Sequence, residues 1–383
     1  MESINESMKG VGLIMNIAVD LLWVRHNQVG GIETYIRNLL DGFCLLDEEF
    51  HFTLLVSKDN GDTFQNYKND KRFSIETCDI RSSNVFKRIV WQNMFFGKKI
   101  KELGLDLCFE PYYCKPITGT GNIDFVTTIH DLQALYYPQY VSKVKALWMR
   151  ISWYNTIKSS KKIVAISNYV GQDILKNYKF SQGKVVSIYN AASVDTNGIP
   201  SSKEIENKYG VKEKEYYFTL SSLLPHKNLE TLLRVIDKIV KSNIALPRKL
   251  IISGVGGKER GNLENKISEL GLKDYIQLTP FISNADMYAL YKYCYVFLFP
   301  SIYEGYGMPP IEAMLLGTPV VTTRRTSIEE VTQGKANYVD DPFNVDEWID
   351  RIQHKQFQAL DFSVYDKKNV AKQYYDLFLE LMM

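Results

Sequence analysis

Short apolar runs alternate along this chain with longer stretches in which apolar residues recur every three or four positions. Met15–Asp20 (MNIAVD) reads as a buried strand. Gly31–Leu46, which follows, places Ile32, Tyr35, Ile36, Leu39 and Leu40 on one helical face. Further strands are predicted at Phe52–Val56, Leu107–Phe109, Phe125–Ile129, Ile163–Ile166 and Val185–Ile188, with helical stretches between several of them. Such alternation predicts βα units and parallel sheets. A polar interruption at Ser193–Lys214, rich in Ser, Asn, Gly and Lys, marks a domain boundary. The alternation then restarts, with strands at Tyr216–Leu220, Leu250–Ser253, Tyr275–Leu278, Val296–Phe299 and Pro319–Thr322. Helices fall at Asn228–Lys241, Leu263–Leu270, Ala285–Tyr293 and Pro310–Leu316. The pattern predicts an α/β protein of two doubly wound halves, with ligands at the C-terminal ends of the strands facing a cleft.

A length of 383 residues suits two domains, and 45% apolar with 23% charged residues excludes a disordered or collagen-like chain. Lys and Arg exceed Asp and Glu by only two, so no overall charge draws the chain to nucleic acid. The five cysteines (Cys44, Cys78, Cys108, Cys114 and Cys294) contain no C-x-x-C pair. They read as small buried residues in a reducing compartment. No apolar run approaches the roughly 18–20 residues of a membrane span. The opening MESINESMKG lacks a signal peptide's apolar core. The expected location is cytoplasmic.

The segment richest in chemistry is Phe299–Thr323, FPSIYEGYGMPPIEAMLLGTPVVTT. A buried strand ends at Pro300, a loop carries Glu304, Gly305 and Gly307, and a helix starts near Pro309 or Pro310, putting Glu312 in its first turn. Free backbone N–H groups there, approached over two glycines, form an anion site. Carboxylates beside it suit a ligand bearing both phosphates and hydroxyls. In isolation the same residues also fit a solvated loop charge and a helix-dipole partner.

The context PS-x-YEG-x-G-x-P-x-x-EAM-x-x-GTPVV resembles the retaining glycosyltransferases of family 4. So do, in the same order, GGIETY at Gly30–Tyr35, TIHDL at Thr128–Leu132, ISNYVGQDI at Ile166–Ile174, PHKNLETLL at Pro225–Leu233 and SIEEV at Ser327–Val331. The resemblance implies the GT-B fold: an acceptor-binding Rossmann-like domain over 1–195, a nucleotide-sugar-binding one over 196–360, and a C-terminal helix in 361–383 returning to the first. It implies that Glu312 holds the donor's ribose hydroxyls, and that Glu304 with Gly305, Tyr306 and Gly307 holds the donor sugar and phosphates. Lys227 would neutralise the leaving pyrophosphate. Gly30 and Gly31 would leave room for the diphosphate, and His130 would contact the donor sugar.

Two departures stand out. Where many members carry a phosphate-clamping Arg, this chain has Ser222 and His226, so either a protonated His226 or Lys227 alone serves. The family's Asn-Gly-Val-Asp is here Asn190-Ala191-Ala192-Ser193-Val194-Asp195. Gly254-Val255-Gly256-Gly257 mimics a dinucleotide fingerprint, but Glu259 occupies the third glycine position; the loop reads instead as donor rim.

Charge patterning bears on the acceptor. Arg81–Lys101 and Leu132–Gln172 each hold six basic residues and no acidic one, interleaved with Phe86, Trp91, Phe95, Trp148 and Trp153. That composition suits an anionic lipid surface or a polyprenyl-diphosphate-linked glycan acceptor, and equally a solvated basic helix face. The expectation is a metal-independent, cofactor-free transferase using a nucleotide-diphosphate sugar, GDP-mannose favoured by the PHKN form, peripheral on the inner face of the membrane. A sucrose- or glycogen-synthase-like enzyme with a soluble acceptor and a non-catalytic sugar-nucleotide binder are the alternatives.

Overall fold

The computed structural model describes residues 15–25, 30–105, 107–113, 115–257 and 260–382, so the MESINESMKG segment, Cys114 and Glu259 lie outside the described residues. The chain forms two compact units. Unit 1 comprises Met1–Ile166, Val170–Ala191 and Asp366–Met383; unit 2 comprises Ser167–Tyr169 and Ala192–Tyr365.

Unit 1 is built on a parallel sheet of β1 (Met15–Asp20), β2 (Phe50–Ser57), β3 (Phe73–Cys78), β4 (Leu107–Glu110), β5 (Asp124–Ile129), β6 (Lys162–Ala165) and β7 (Val185–Ser187), in the order β3-β2-β1-β4-β5-β6-β7. Alternate residues of β1 serve opposite layers. Ile17 and Val19 join the core made with helix α1 (Gly31–Cys44), while Ala18 joins Phe96 and Ile100 of helix α2 (Val85–Glu102). A third helix, α3 (Lys143–Ser159), has a serine N-cap, Ser142, whose side chain accepts from the Lys145 N–H. The C-terminal helix Lys367–Met382 completes the first core: Tyr374 donates to or accepts from Tyr35 at 2.7 Å, and Phe378 packs among Phe43, Phe52 and Phe109. Its close approach is set by Gly42, where a Cβ would lie 2.2 Å from the Lys367 carbonyl.

Unit 2 repeats the plan with β8 (Tyr216–Leu220), β9 (Lys249–Ser253), β10 (Ile276–Thr279), β11 (Val296–Phe299), β12 (Val320–Thr323) and β13 (Asn337–Val339), ordered β10-β9-β8-β11-β12-β13 and parallel in each pair. Helix α4 (Leu229–Lys241) buries Leu232, Val235, Ile236 and Ile239 against one face, with Leu250, Ile252 and Leu298. Ala313 and Met314 of helix α5 (Met308–Leu315) pack on the other. Both sheets therefore have the doubly wound order that the alternation predicts, and each reverses direction between its first and fourth strands.

The polar stretch is more than a linker. The first unit gives way at Ala191–Ala192, and a helix of unit 2, Ser202–Tyr209, lies inside the stretch, opened by a capping box between Ser201 and Glu204. Its polarity reflects an exposed helix face. The edge strands β3 and β13 escape an apolar-run reading because FSIETC is mostly half-exposed and NYV is only three residues long. Among the described residues Cys78, Cys108 and Cys294 are buried and Cys44 is half-buried, all with free thiols.

Candidate functional site

In unit 2 the reversal between β8 and β11 brings two loops together. The loop after β8 ends in a single 3₁₀ turn, Pro225–Lys227, terminated by Asn228 in the left-handed region (φ 52°). Lys227 therefore stands on a turn before α4 rather than in the helix. The Lys227 Nζ lies 2.6 Å from Glu304 Oε1 in the loop after β11, both side chains largely buried. The loops are tied at their bases by the Ile302 N–H donating to the His226 carbonyl at 2.8 Å.

The 300–307 loop is held by hydroxyls. Ser327 Oγ donates to the carbonyls of Glu304 (3.0 Å) and Tyr306 (2.8 Å), and Ser167 Oγ donates to that of Gly305 at 2.8 Å. The Glu304 N–H donates to Thr326 Oγ1 at 3.0 Å. These bonds tie down the carbonyls and one N–H of the loop that carries Glu304. Gly307 caps α5 at φ 100°, a conformation that penalises any side chain.

The structure corrects one expectation. Helix α5 starts at Met308, so Glu312 lies in its second turn, not its first. It is half-buried, accepts from the Tyr291 hydroxyl at 3.4 Å, and is pushed up to about 7 by desolvation. His226 is buried, and burial with the adjacent Lys227 charge holds it at about 4, so without a diphosphate it is neutral. Lys227 is then the cation this loop supplies.

The remaining predicted residues belong to unit 1. Gly30 and Gly31 open α1; Gly30 has φ −132°, and a Cβ at either position would meet nothing within 4 Å. Neither backbone strain nor packing among the described residues demands glycine there, which leaves open space beside the helix start. His130 follows β5. It is buried, edge-on to Tyr35, and desolvation holds it at about 4. Its Nε2 bonds the Pro111 carbonyl at 2.9 Å, so that nitrogen carries the proton and donates. A neutral ring so committed has its Nδ1 left to accept from a hydroxyl.

Family models match the two units in turn: Glycosyltransferase Family 4 over residues 29–196, and Glycosyl transferases group 1 over residues 201–354. The chain belongs to glycosyltransferase family 4. Its relatives include the O-antigen chain mannosyltransferase B of Escherichia coli, 30% identical over 226 residues that cover 58% of each chain. An O-antigen chain mannosyltransferase of Salmonella typhimurium is 30% identical over 227 residues, 59% of each. These matches thus span little more than half the relatives' length. Sucrose-phosphate synthase from Thermosynechococcus elongatus shares the fold, with a TM-score of 0.68 at 16% identity over 96% of this chain and 99% of that one. The fold is GT-B.

For a family 4 chain, the residues that residue-by-residue reading leaves without a role are the hydroxyls that brace the loop. Ser167 and Ser327 sit inside the ISNYV and SIEEV segments, whose family likeness was visible. Their part as braces is visible only once the loop carbonyls are placed. Gly254 has a steric reason of its own: at φ 83°, a Cβ would fall 2.7 Å from the Ser221 carbonyl, so this loop packs on the one leaving β8.

Proposed function

We propose that the protein transfers a hexose, with mannose from GDP-mannose favoured, to a lipid-linked glycan, retaining the anomeric configuration and without a metal. The observation that carries this reading is the Lys227–Glu304 pair at the β8/β11 reversal, beside the glycine-opened loop into α5. The O-antigen mannosyltransferase relatives support mannose and a surface-glycan acceptor.

Lys227 meets the diphosphate and offsets the negative charge that builds on it as the sugar departs. Glu304 accepts sugar hydroxyls, and Glu312 accepts those of the ribose. Glu304 precedes the phosphate-binding helix, so it lies beside the sugar rather than across the ring from the diphosphate, and no carboxylate is assigned as a nucleophile. The acceptor hydroxyl then attacks from the leaving-group side. The anomeric carbon's bond to the phosphate oxygen breaks, its bond to the acceptor oxygen forms, and the acceptor's proton passes to the departing phosphate.

Membrane association is part of the proposal. Helix α2 exposes Phe86 (77%), Met94 and Phe95, and α3 exposes Val144 (81%), Leu147 and Ile151, among the basic residues of both stretches. Apolar side chains ringed by lysines suit an anionic interface. Trp153, by contrast, is core, and Lys99 is paired with Glu76, so neither belongs to that surface. Among the described residues no helix is long and apolar enough to cross a membrane.

The test is proton NMR of the first-formed product in excess EDTA, with GDP-mannose and a short-chain lipid-linked acceptor. A retained anomeric signal is expected. An inverted signal, or turnover only after Mg²⁺ or Mn²⁺ is restored, overturns the mechanism; equal turnover on a soluble acceptor overturns the lipid assignment.

A further inference from the structure

Unit 1 has a crevice of its own at the reversal between β1 and β4, a cavity of about 370 Å³ flanked by α2 and α3. That volume is ordinary for a small-ligand site, which spans roughly 300–1,000 Å³. Its floor is unusual in its charges. Asp20 ends β1 and Glu110 ends β4, both nearly inaccessible and near enough to interact. Gln92 Nε2 donates to Asp20 Oδ2 at 2.7 Å, and the Leu22 N–H donates to Oδ1 at 2.9 Å.

Four cations line the same cavity, exposed Arg25 and Lys145 and buried Arg88 and Lys115. Arg88 of α2 is 9% exposed, and its buried Nε has no hydrogen-bond partner among the described residues. It is attracted to Asp20 across a charge–charge distance, without a hydrogen bond to it. A guanidinium serving only as a counter-ion would close its fork on that carboxylate. Lys115 is 5% exposed, with its ammonium 4.3 Å from the centroid of the Phe125 ring. Burial lowers its pKa, the cost expected for a cation held without a full partner. Four cations against the two carboxyls leave the lining with positive charge in excess. Trp23 and Tyr112 also line the cavity, stacked on each other at 5.0 Å and 16° as an aromatic platform.

We propose that this cavity seats a glycosyl phosphate of the acceptor: the sugar ring lies on the Trp23–Tyr112 platform, its hydroxyls reach Glu110 and Gln92, and its phosphate pairs with Arg88 and Lys115. A guanidinium fork and an ammonium together match a phosphate's several oxygens better than a single carboxylate. The inference rests on the transferase reading above and names the acceptor's end group. The helices flanking the cavity are the ones that expose Phe86 and Leu147, so a phosphate esterified to a lipid would leave its chain at that surface.

The test uses the full chain and its tryptophan fluorescence, since Trp23 and Trp148 line the cavity. The probes are N-acetylglucosamine 1-phosphate, N-acetylglucosamine, and N-acetylglucosaminyl-diphospho-farnesol. The sugar phosphate is expected to bind at least ten-fold more tightly than the neutral sugar, and Arg88→Gln and Lys115→Met should each raise its Kd at least ten-fold. Tighter binding of the farnesyl compound supports the site with a lipid-linked source; equal binding supports it with a free sugar phosphate. GDP titration of the same variants checks the fold and the donor reading separately, and should match wild type. Neutral sugar binding as tightly as sugar phosphate, or unchanged sugar phosphate binding in two variants that still bind GDP, overturns the proposal. Failure of GDP to bind the wild type would instead strike the donor reading.

Discussion

The two sheets share one strand order and open crevices at equivalent reversals, yet they distribute charge in opposite ways. In unit 2 the cation and the carboxylate are closed on each other, Lys227 on Glu304 at 2.6 Å. In unit 1 the buried Arg88 keeps its Nε without a hydrogen-bond partner among the described residues, and the buried Lys115 ammonium sits over the Phe125 ring. A closed ion pair costs little to keep and must be exchanged when a diphosphate arrives. Such a site favours a ligand that comes and goes with each turnover. Buried cations without partners are costly to keep. They suit a crevice whose ligand supplies the missing charge. The proposed sites follow that difference, with the departing nucleotide in unit 2 and the acceptor's phosphate in unit 1.

The sharpest way to break this assignment is at Lys227. Lys227→Ala is expected to lower kcat by about 10²–10³-fold, the order lost when one preorganised stabiliser of developing charge is removed. KM should change far less, because the charge is greatest in the transition state. Arg88→Gln should leave the affinity for GDP unchanged; a large loss there would merge the two crevices into one site. Glu312→Ala comes next, with kcat/KM falling about 10–100-fold through lost hydroxyl contacts, read from steady-state kinetics.

A smaller effect is pH dependence. Burial pushes Glu312 up to about 7, so its carboxylate, the form that accepts ribose hydroxyls best, gains population as pH rises through 7. GDP affinity should rise several-fold between pH 6 and 8, and Glu312→Gln should flatten the profile. Stability moves the other way. The raised pKa of the folded state contributes stability that is complete below the ordinary carboxyl value and is lost as pH rises through about 7. Denaturation of the unliganded protein should show that fall in the wild type and not in Glu312→Gln. Smallest of all is the membrane term. Phe86→Ser with Leu147→Ser should weaken sedimentation with anionic vesicles by a few-fold, with no change in GDP binding. High salt should release the wild type, since charge attraction is screened within about 10 Å at 0.1 M.

Sequence periodicity reveals both sheets because their central strands are buried on both faces and read as unbroken apolar runs. It fails at β3 and β13, where edge exposure breaks the run. Of the donor residues, Lys227, Glu304 and Glu312 are legible as chemistry-bearing positions, but their states are not. The neutrality of His226 and His130 follows from burial and from a bond to Pro111, and the braces Ser167, Thr326 and Ser327 act through backbone carbonyls. None of that is carried by residue type or spacing. The unit 1 cluster is the extreme case. Arg88 reads along the chain as one more surface cation in a basic stretch, and only folding shows it buried beside the ends of β1 and β4.

The central claim is that unit 2's crevice binds a nucleoside diphosphate through Lys227 and Glu312. Thermal denaturation with GDP, UDP and dTDP tests it most directly, on the wild type, Lys227→Ala and Glu312→Ala. At 100 times its Kd, the correct nucleotide should stabilise the wild type by about 2.7 kcal/mol, and the same concentration should stabilise each variant much less. If no nucleotide stabilises the wild type, or if one stabilises all three proteins equally, the account is contradicted.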